Sequence, residues 1–422
     1  MLERFNIHKS MPYSLKHTST HPAVTQWCDE LWEELCIDKT KKVHLKKECL
    51  INTIVNLKLS WVTGNYLRYS RRKNHYAEIP FRYRKDFYTY DIIVKIMDGL
   101  ASLGFIEQIP GFINLNDQSK LQTAIKPAGD FAVVQQNTIS DVPPAELVVL
   151  KDRITHAKVN YTDTNATNKM RRELADYNAL RQSIRYSVCA SELVNNHKDY
   201  FNLFAVNKNT NETELRSPFV YRVFNGSFHK GGRFYNGVES NAPKEVRKLL
   251  LINGNPTVEK DYNCLHIRML YNMEGFDLPG DAYEKVSGGD PVLRSLYKLV
   301  GLVSINSKSQ NACLNALRNE IRGTALHSCF EKLDNKSLLQ HYNKWVAAHP
   351  LISKYLNSDI GIKLQYKDSE LATKMISHFT KKGIPVLVVH DSFIVEKKYE
   401  SELEEVMIKA YKEKFKFDPV IK

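Results

Sequence analysis

The 422-residue sequence predicts an α+β protein, and three observations lead there. The N-terminal third carries apolar residues at helical spacing. A polar stretch containing Pro143-Pro144 interrupts the pattern at Gln135–Pro144. In the C-terminal half, short apolar strand runs end on aspartates and lead into helices or turns. The expected domains are 1–134, mainly helical; 135–217, a linker followed by a further helical region; and 218–422, mixed strands and helices. A chain of this length can bury two or three separate cores.

The first elements are amphipathic helices over Val24–Leu35 and His44–Leu59. A basic, tyrosine-rich stretch follows, with Tyr66, Arg68, Tyr69, Arg71, Arg72, Lys73 and Tyr76, then Arg82, Arg84 and Lys85. Tyr90–Leu103 is a third helix, with Ile93, Ile96, Met97 and Leu100 on one face. Thr89 stands at its N-cap and Gly104 at its end. Two strand-like runs, Phe105–Ile109 and Leu121–Pro127, are separated by a Pro-Gly turn and polar residues. Helices leading into a two-stranded wing resemble a winged-helix nucleic-acid-binding domain, in which the last helix enters the major groove. That resemblance makes Arg68, Arg71, Arg72, Lys73, Arg82 and Arg84 candidate nucleic-acid contacts; a solvated basic face is the plainer alternative. From residue 145 to about Ser217 the pattern reads as helical, most clearly at Asn168–Ile184.

Charge agrees with a polyanionic partner. Lys and Arg number 60 against 47 Asp and Glu, a formal net charge of +13. No apolar run approaches the ~18 residues of a membrane span, and the first residues mix charge with apolar side chains unlike a signal peptide. No membrane association and a cytoplasmic location are therefore expected, in the host cytoplasm if a virus or mobile element encodes the chain. The seven cysteines include no C-x-x-C pair, so reduced thiols are expected rather than disulfides or a zinc site.

The chemistry lies after Phe224. Thr257–Tyr262 reads as a strand and Asn263 onward as a helix through Tyr271, so Asp261 sits where one becomes the other. Ile384–Val389 and Phe393–Val395 read as a hairpin with His390-Asp391-Ser392 at its turn. Two such aspartates on adjacent strands would hold two divalent cations about 3.5–4 Å apart. Mg²⁺ or Mn²⁺ suits them, because Mg²⁺ takes only one or two carboxylates beside substrate phosphates. Between them Arg294, Lys298 and Leu302 recur every fourth residue, placing two cations on one helix face where they can clamp a triphosphate.

Taken in order, these pieces resemble the right-hand polymerases: the family A DNA polymerases and the single-subunit phage and mitochondrial RNA polymerases. Asp261-Tyr262-Asn263-Cys264-Leu265-His266-Ile267-Arg268 looks like their motif A, and Arg294 with Lys298 like the start of motif B. His390-Asp391-Ser392-Phe393 is similar to motif C, and Gly231-Gly232-Arg233-Phe234-Tyr235 to the glycine–arginine motif that touches the nucleic-acid backbone. The resemblance covers about residues 225–400 and implies a palm with reduced fingers and thumb, the helix at Asn168–Ile184 being a thumb remnant. It implies Asp261 and Asp391 as catalytic metal ligands, Lys298 and Arg294 as catalytic cations, and Tyr262, His266, Asn306, Arg233 and His390 as substrate contacts. The partners implied are a template and primer, with DNA favoured, and nucleoside triphosphates.

Three departures matter. Asn306 stands where motif B carries a tyrosine, Leu302 where it carries an aromatic, and His266 at the position that senses the sugar. Histidine is large enough to exclude a 2′-hydroxyl and favours DNA synthesis, whereas His-Asp-Ser-Phe looks more like the RNA polymerases. Low processivity without proofreading is expected from the short core. An RNA polymerase or primase, a terminal transferase, and a DNA-binding replication initiator with an inactive core are the alternatives. A nuclease would need a further Asp, Glu and His cluster near Asp261.

Overall fold

A computed structural model describes residues 6–111, 122–135, 138–189, 204–207, 212–215, 219–278 and 280–422. The fold is α+β and divides into two compact units. The first comprises Met1–Val149, Ala157–Arg171 and Arg185–Tyr221; the second comprises Leu150–His156, Arg172–Ile184 and Arg222–Lys422. Residues 135–217, expected as a separate linker and helical region, are thus shared between the two.

The first unit begins with β1 (Asn6–Pro12), β2 (His17–Thr18), α1 (Pro22–Glu34) and α2 (Val43–Thr63). It continues with β3 (Asn65–Tyr69), α3 (Lys73–Glu78), α4 (Tyr90–Ser102), β4 (Ile106–Ile109) and β5 (Thr123–Pro127). Leu121, expected to open the last strand, lies outside the described residues. The strands form one sheet in the order β1-β3-β5-β4, with β1 parallel to β3 and the other pairs antiparallel. Sequence periodicity missed β1 and β2.

Helix α2 is the spine of this unit. Leu50, Ile54, Val55 and Leu57 are buried, and so are Asn52, Thr53 and Asn56. Those polar groups are satisfied: Asn52 Nδ2 donates to the carbonyls of Ser14 (3.0 Å) and His17 (2.6 Å), and Asn56 Oδ1 accepts from the Ser14 amide (2.9 Å). They fasten the Ser14–His17 turn to the helix, as buried polar groups must find partners. Helix α4 buries Ile92, Ile93, Ile96, Met97 and Leu100 against this core, each worth about 1.5–3 kcal/mol. Its opposite face exposes Asp91, Lys95 and Asp98. The helix stops at Gly104, which takes φ +77°.

The expected linker is partly structured. Residues 136–137 lie outside the described chain, but β6 (Ser140–Asp141) pairs with β2, and His17 Nδ1 lies 2.5 Å from Asp141 Oδ1. After β7 (Val148–Lys151), α5 (Asn165–Gln182) matches the expected helix. The helical expectation for the region beyond it needs correction. There β8 (Tyr186–Cys189), β9 (Phe204–Asn207) and β10 (Glu212–Leu215) form an antiparallel meander in the order β8-β10-β9. The stretches between them, and residues 216–218 after β10 with Ser217, lie outside the described residues.

The second unit holds the hairpin β11 (Tyr221–Asn225) and β12 (Gly231–Tyr235), the short helices α6 (Val238–Asn241) and α7 (Lys244–Arg247), and β13 (Leu251–Ile252). Then come β14 (Asn255–Asp261), α8 (Leu265–Met273), α9 (Glu284–Ser287) and α10 (Pro291–Asn306). Helices α11 (Gln310–Ile321), α12 (Asn335–Ala348) and α13 (Gly361–Lys381) follow, then β15 (Leu387–Val389), β16 (Ser392–Glu396) and α14 (Glu400–Phe415). A sheet in the order β15-β16-β14-β13 is backed by α14. Trp345 of α12 is fully buried against Gly301 of α10 and stacks on Tyr283 at 5.6 Å. The 172–182 part of α5 is anchored in this unit, Tyr177 Oη donating to the Val386 carbonyl (2.7 Å) and Arg181 bidentate on Glu239 (3.0 Å each). No helix among the described residues is long and apolar enough to cross a membrane.

Candidate active site

The strand-borne aspartates are neighbours. β14 and β16 pair antiparallel with Asp261 opposite Ser392, and the Tyr262 amide donates to the Asp391 carbonyl at 3.3 Å. Asp261 ends its strand, and the chain reaches α8 through Cys264 at φ +55°. Asp391 sits in the β15–β16 turn behind His390 at φ +59°. Left-handed backbone is unfavourable for residues with a Cβ, and it occurs three residues after Asp261 and immediately before Asp391. Asp261 is further held from its other side, where its amide donates to the Lys422 carbonyl (3.0 Å) and its carbonyl accepts from the Lys422 amide (2.9 Å).

The electrostatics follow from this proximity. Burial and then the negative charge of Asp391 push the Asp261 carboxyl up to about 7, against the pull of Lys244 and Lys298. Burial and then Asp368 push the Asp391 carboxyl up as well. Two carboxylates that resist ionising together form a pocket of negative potential suited to a cation. Among the described residues, no group of three or more His, Cys, Asp or Glu side chains is arranged to hold a metal. Ions here would therefore depend on Asp261, Asp391 and substrate oxygens, a donor set that fits Mg²⁺ or Mn²⁺.

Helix α10 is sorted as its spacing predicts. Leu296, Tyr297, Val300 and Ser304 are buried, while Lys298 and Leu302 are exposed, Leu302 to 52%. Asp290 caps the helix by accepting from the amides of Val292 and Leu293. Lys298 acts electrostatically on Asp261 and makes no ion pair among the described residues. Arg294 is engaged: its Nη2 and Nε lie 2.6 and 3.2 Å from Asp281 Oδ2, and the guanidinium rests over Tyr283.

The remaining sequence candidates divide. Arg233 donates from Nε (2.9 Å) and Nη2 (2.6 Å) to Asp368, and His266 Nε2 lies 3.5 Å from the same oxygen. His390 Nδ1 is buried without a hydrogen-bond partner among the described residues. One expectation needs correction. Tyr262 is 2% exposed, its ring packs on Phe393 and Tyr411, and its hydroxyl donates to the Met407 carbonyl (2.7 Å), so it is a core residue with no group left for substrate. Asn306 Nδ2 donates to Leu302 in its own helix (2.7 Å), and its Oδ1 lies where a side chain on Gly361 would stand. The residue is exposed beside the start of α13.

In the first unit, Arg71 pairs with Asp98 (2.5 and 3.0 Å), and Arg82 bridges Glu146 and Asp163 (2.9 Å each) within a network that includes Arg171. Arg71 and Arg82 are therefore ion-paired within the first unit. Arg68, Arg72, Lys73 and Arg84 make no ion pair among the described residues, and Arg72 and Lys73 are exposed.

Sequence reasoning missed Asp281, Asp368, Lys244 and the pair Arg247–Glu259 (2.6 Å). Glu259 was accessible, because it lies two residues before Asp261 and hence on the same strand face. The others reach the site from loops and helices far along the chain, without local signal. No protein-family model matches this chain, and no curated protein sequence matches it.

Proposed function

We propose that the second unit is a metal-dependent nucleotidyltransferase of the polymerase kind, with templated DNA synthesis favoured. The observation that carries this reading is the adjacency of Asp261, at the end of β14, and Asp391, in the turn that leads into its partner strand β16, with both carboxyls pushed upward. Two divalent ions, when held by these carboxylates, would supply the charge that activates a 3′-hydroxyl and stabilises the transferring phosphoryl group. Lys298, free and on the exposed face of α10, neutralises the incoming triphosphate. Arg294 joins it once released from Asp281. His266 lies on α8 just beyond Asp261 and meets the nucleotide sugar, while Arg233 meets the nucleic acid.

In the first unit, the order α2-β3-α3-α4-β4-β5 with β3 pairing to β5 fits a winged helix. Arg68, Arg72, Lys73 and Arg84 serve as the backbone contacts of this unit.

The test offers primed and unprimed templates with Mg²⁺ or Mn²⁺ and deoxy- or ribonucleotides. Incorporation that Asp261→Ala and Asp391→Ala each abolish is expected. No incorporation by the wild type, together with tight DNA binding, would replace this reading with a replication initiator bearing an inactive core. Extension without template or primer would make the enzyme a terminal transferase.

A further inference from the structure

Asp368 lies in the middle of α13 and is 1% exposed. A carboxylate so buried is unfavourable unless charged or hydrogen-bonding groups surround it. Here a single oxygen, Oδ2, takes both Arg233 contacts and lies 3.5 Å from His266 Nε2. Burial pushes the Asp368 carboxyl up, but His266 and Arg233 outweigh it and hold the group below the ordinary carboxylate range. The next residue, Ser369, repeats the arrangement: its Oγ accepts from Arg222 Nη2 (3.0 Å), while Arg222 Nε donates to the Gly232 carbonyl (2.8 Å). Two consecutive residues of α13 thus clamp both arginines of the β11–β12 hairpin.

The placement is costly for Asp391, since Asp368 is the largest charge opposing its ionisation. A third carboxylate beside two that already repel calls for a role beyond packing. Asp368 joins β12 to α8, the two elements that carry Arg233 and His266. The Nε2 edge of the imidazole faces Asp368, and its opposite edge is directed away from that carboxylate.

We infer that Asp368 is the positioning residue that sets sugar discrimination, by fixing the His266 ring against the incoming nucleotide while holding Arg233 in place. This rests on the nucleotidyl-transfer reading. A fixed ring presents a constant volume and edge to the 2′ position; a freed ring can swing aside or hydrogen-bond a 2′-hydroxyl.

The experiment measures kcat/KM for deoxy- and ribonucleotides with the full chain, its Asp368→Asn, its His266→Ala and the double variant. Asp368→Asn preserves side-chain volume, and circular dichroism with a thermal melt confirms that it folds. The ratio of the two kcat/KM values is expected to move toward one by about tenfold in Asp368→Asn. The double variant should show the same ratio as His266→Ala alone, because both changes act through one ring. Equal loss for both nucleotide sets in Asp368→Asn would overturn the inference, since it would mark a purely structural ion pair. An unchanged ratio in His266→Ala would overturn it too, and does not depend on Asp368→Asn folding. Failure of the wild type to incorporate either set would remove the inference together with the reading beneath it.

Discussion

Asp261 stands directly across an antiparallel strand pair from Ser392, which places Asp391, one residue earlier, at the same end of the sheet. Residues separated by 130 positions are thereby joined through backbone hydrogen bonds, before any metal or substrate is considered.

The raised Asp261 carboxyl makes stability depend on pH. Burial and Asp391 lift it from the ordinary carboxylate value to about 7 in the folded state. Between those values the folded state binds more protons than the unfolded one, so this group lowers stability as pH rises. Asp261→Asn is therefore expected to stabilise the metal-free protein at pH 8, by about 1–2 kcal/mol after discounting for partial solvent screening. The gain should vanish near pH 4. Thermal melts across this range check it, and added Mg²⁺ should stabilise the wild type but not the variant.

Asp281 holds Arg294 in an ion pair that, under the proposed function, a substrate phosphate must displace. Asp281→Asn removes that competing anion and should lower KM for the nucleoside triphosphate about fivefold, equivalent to ~1 kcal/mol, with kcat little changed. Arg294→Ala should raise KM in both backgrounds. A higher KM in Asp281→Asn would show instead that Asp281 holds Arg294 in its working position.

Gly232 has φ +79°, and a Cβ there would lie 2.7 Å from the Phe224 ring and 2.9 Å from Ser369 Oγ. Gly232→Ala should destabilise by about 2–4 kcal/mol, combining left-handed backbone with overpacking. Gly254 has φ +80° with nothing within 4 Å, so Gly254→Ala carries only the backbone part, about 1–2 kcal/mol. Paired denaturation curves separate the two contributions.

Salt dependence of DNA binding distinguishes free from engaged arginines. Removing Arg72 and Lys73 together as glutamines should reduce the slope of log K against log salt by about 2, near 0.9 per lost phosphate contact. Arg71→Gln should change it by under about half a unit, because Asp98 already neutralises that guanidinium. Equal effects would show that Arg71 leaves Asp98 to bind DNA.

Much of the local architecture was legible. Helical spacing located α1, α2, α4 and α5 within a few residues, and the apolar run broken by His390-Asp391-Ser392 was read as the hairpin it forms. Short polar strands such as β1 and β8 to β10 escaped, because their pairing partners rather than their own periodicity make them strands. The face of α10 was legible for the same reason that α4 was: a helix with one buried side repeats every three to four residues.

By itself, the sequence determined the positions on which the proposed chemistry rests: two aspartates beside strand ends and two cations one helical turn apart. Alternation and helical period encode such positions locally. Only the tertiary structure decided which of them are free to act. It brought Asp261 beside Asp391, set Asp281 on Arg294 and Asp368 on Arg233 and His266, and buried Tyr262 in the core. The physical reason is that ion pairing and burial depend on distances through space. A carboxylate from a distant helix can neutralise an arginine whose own neighbours in sequence contain no trace of it.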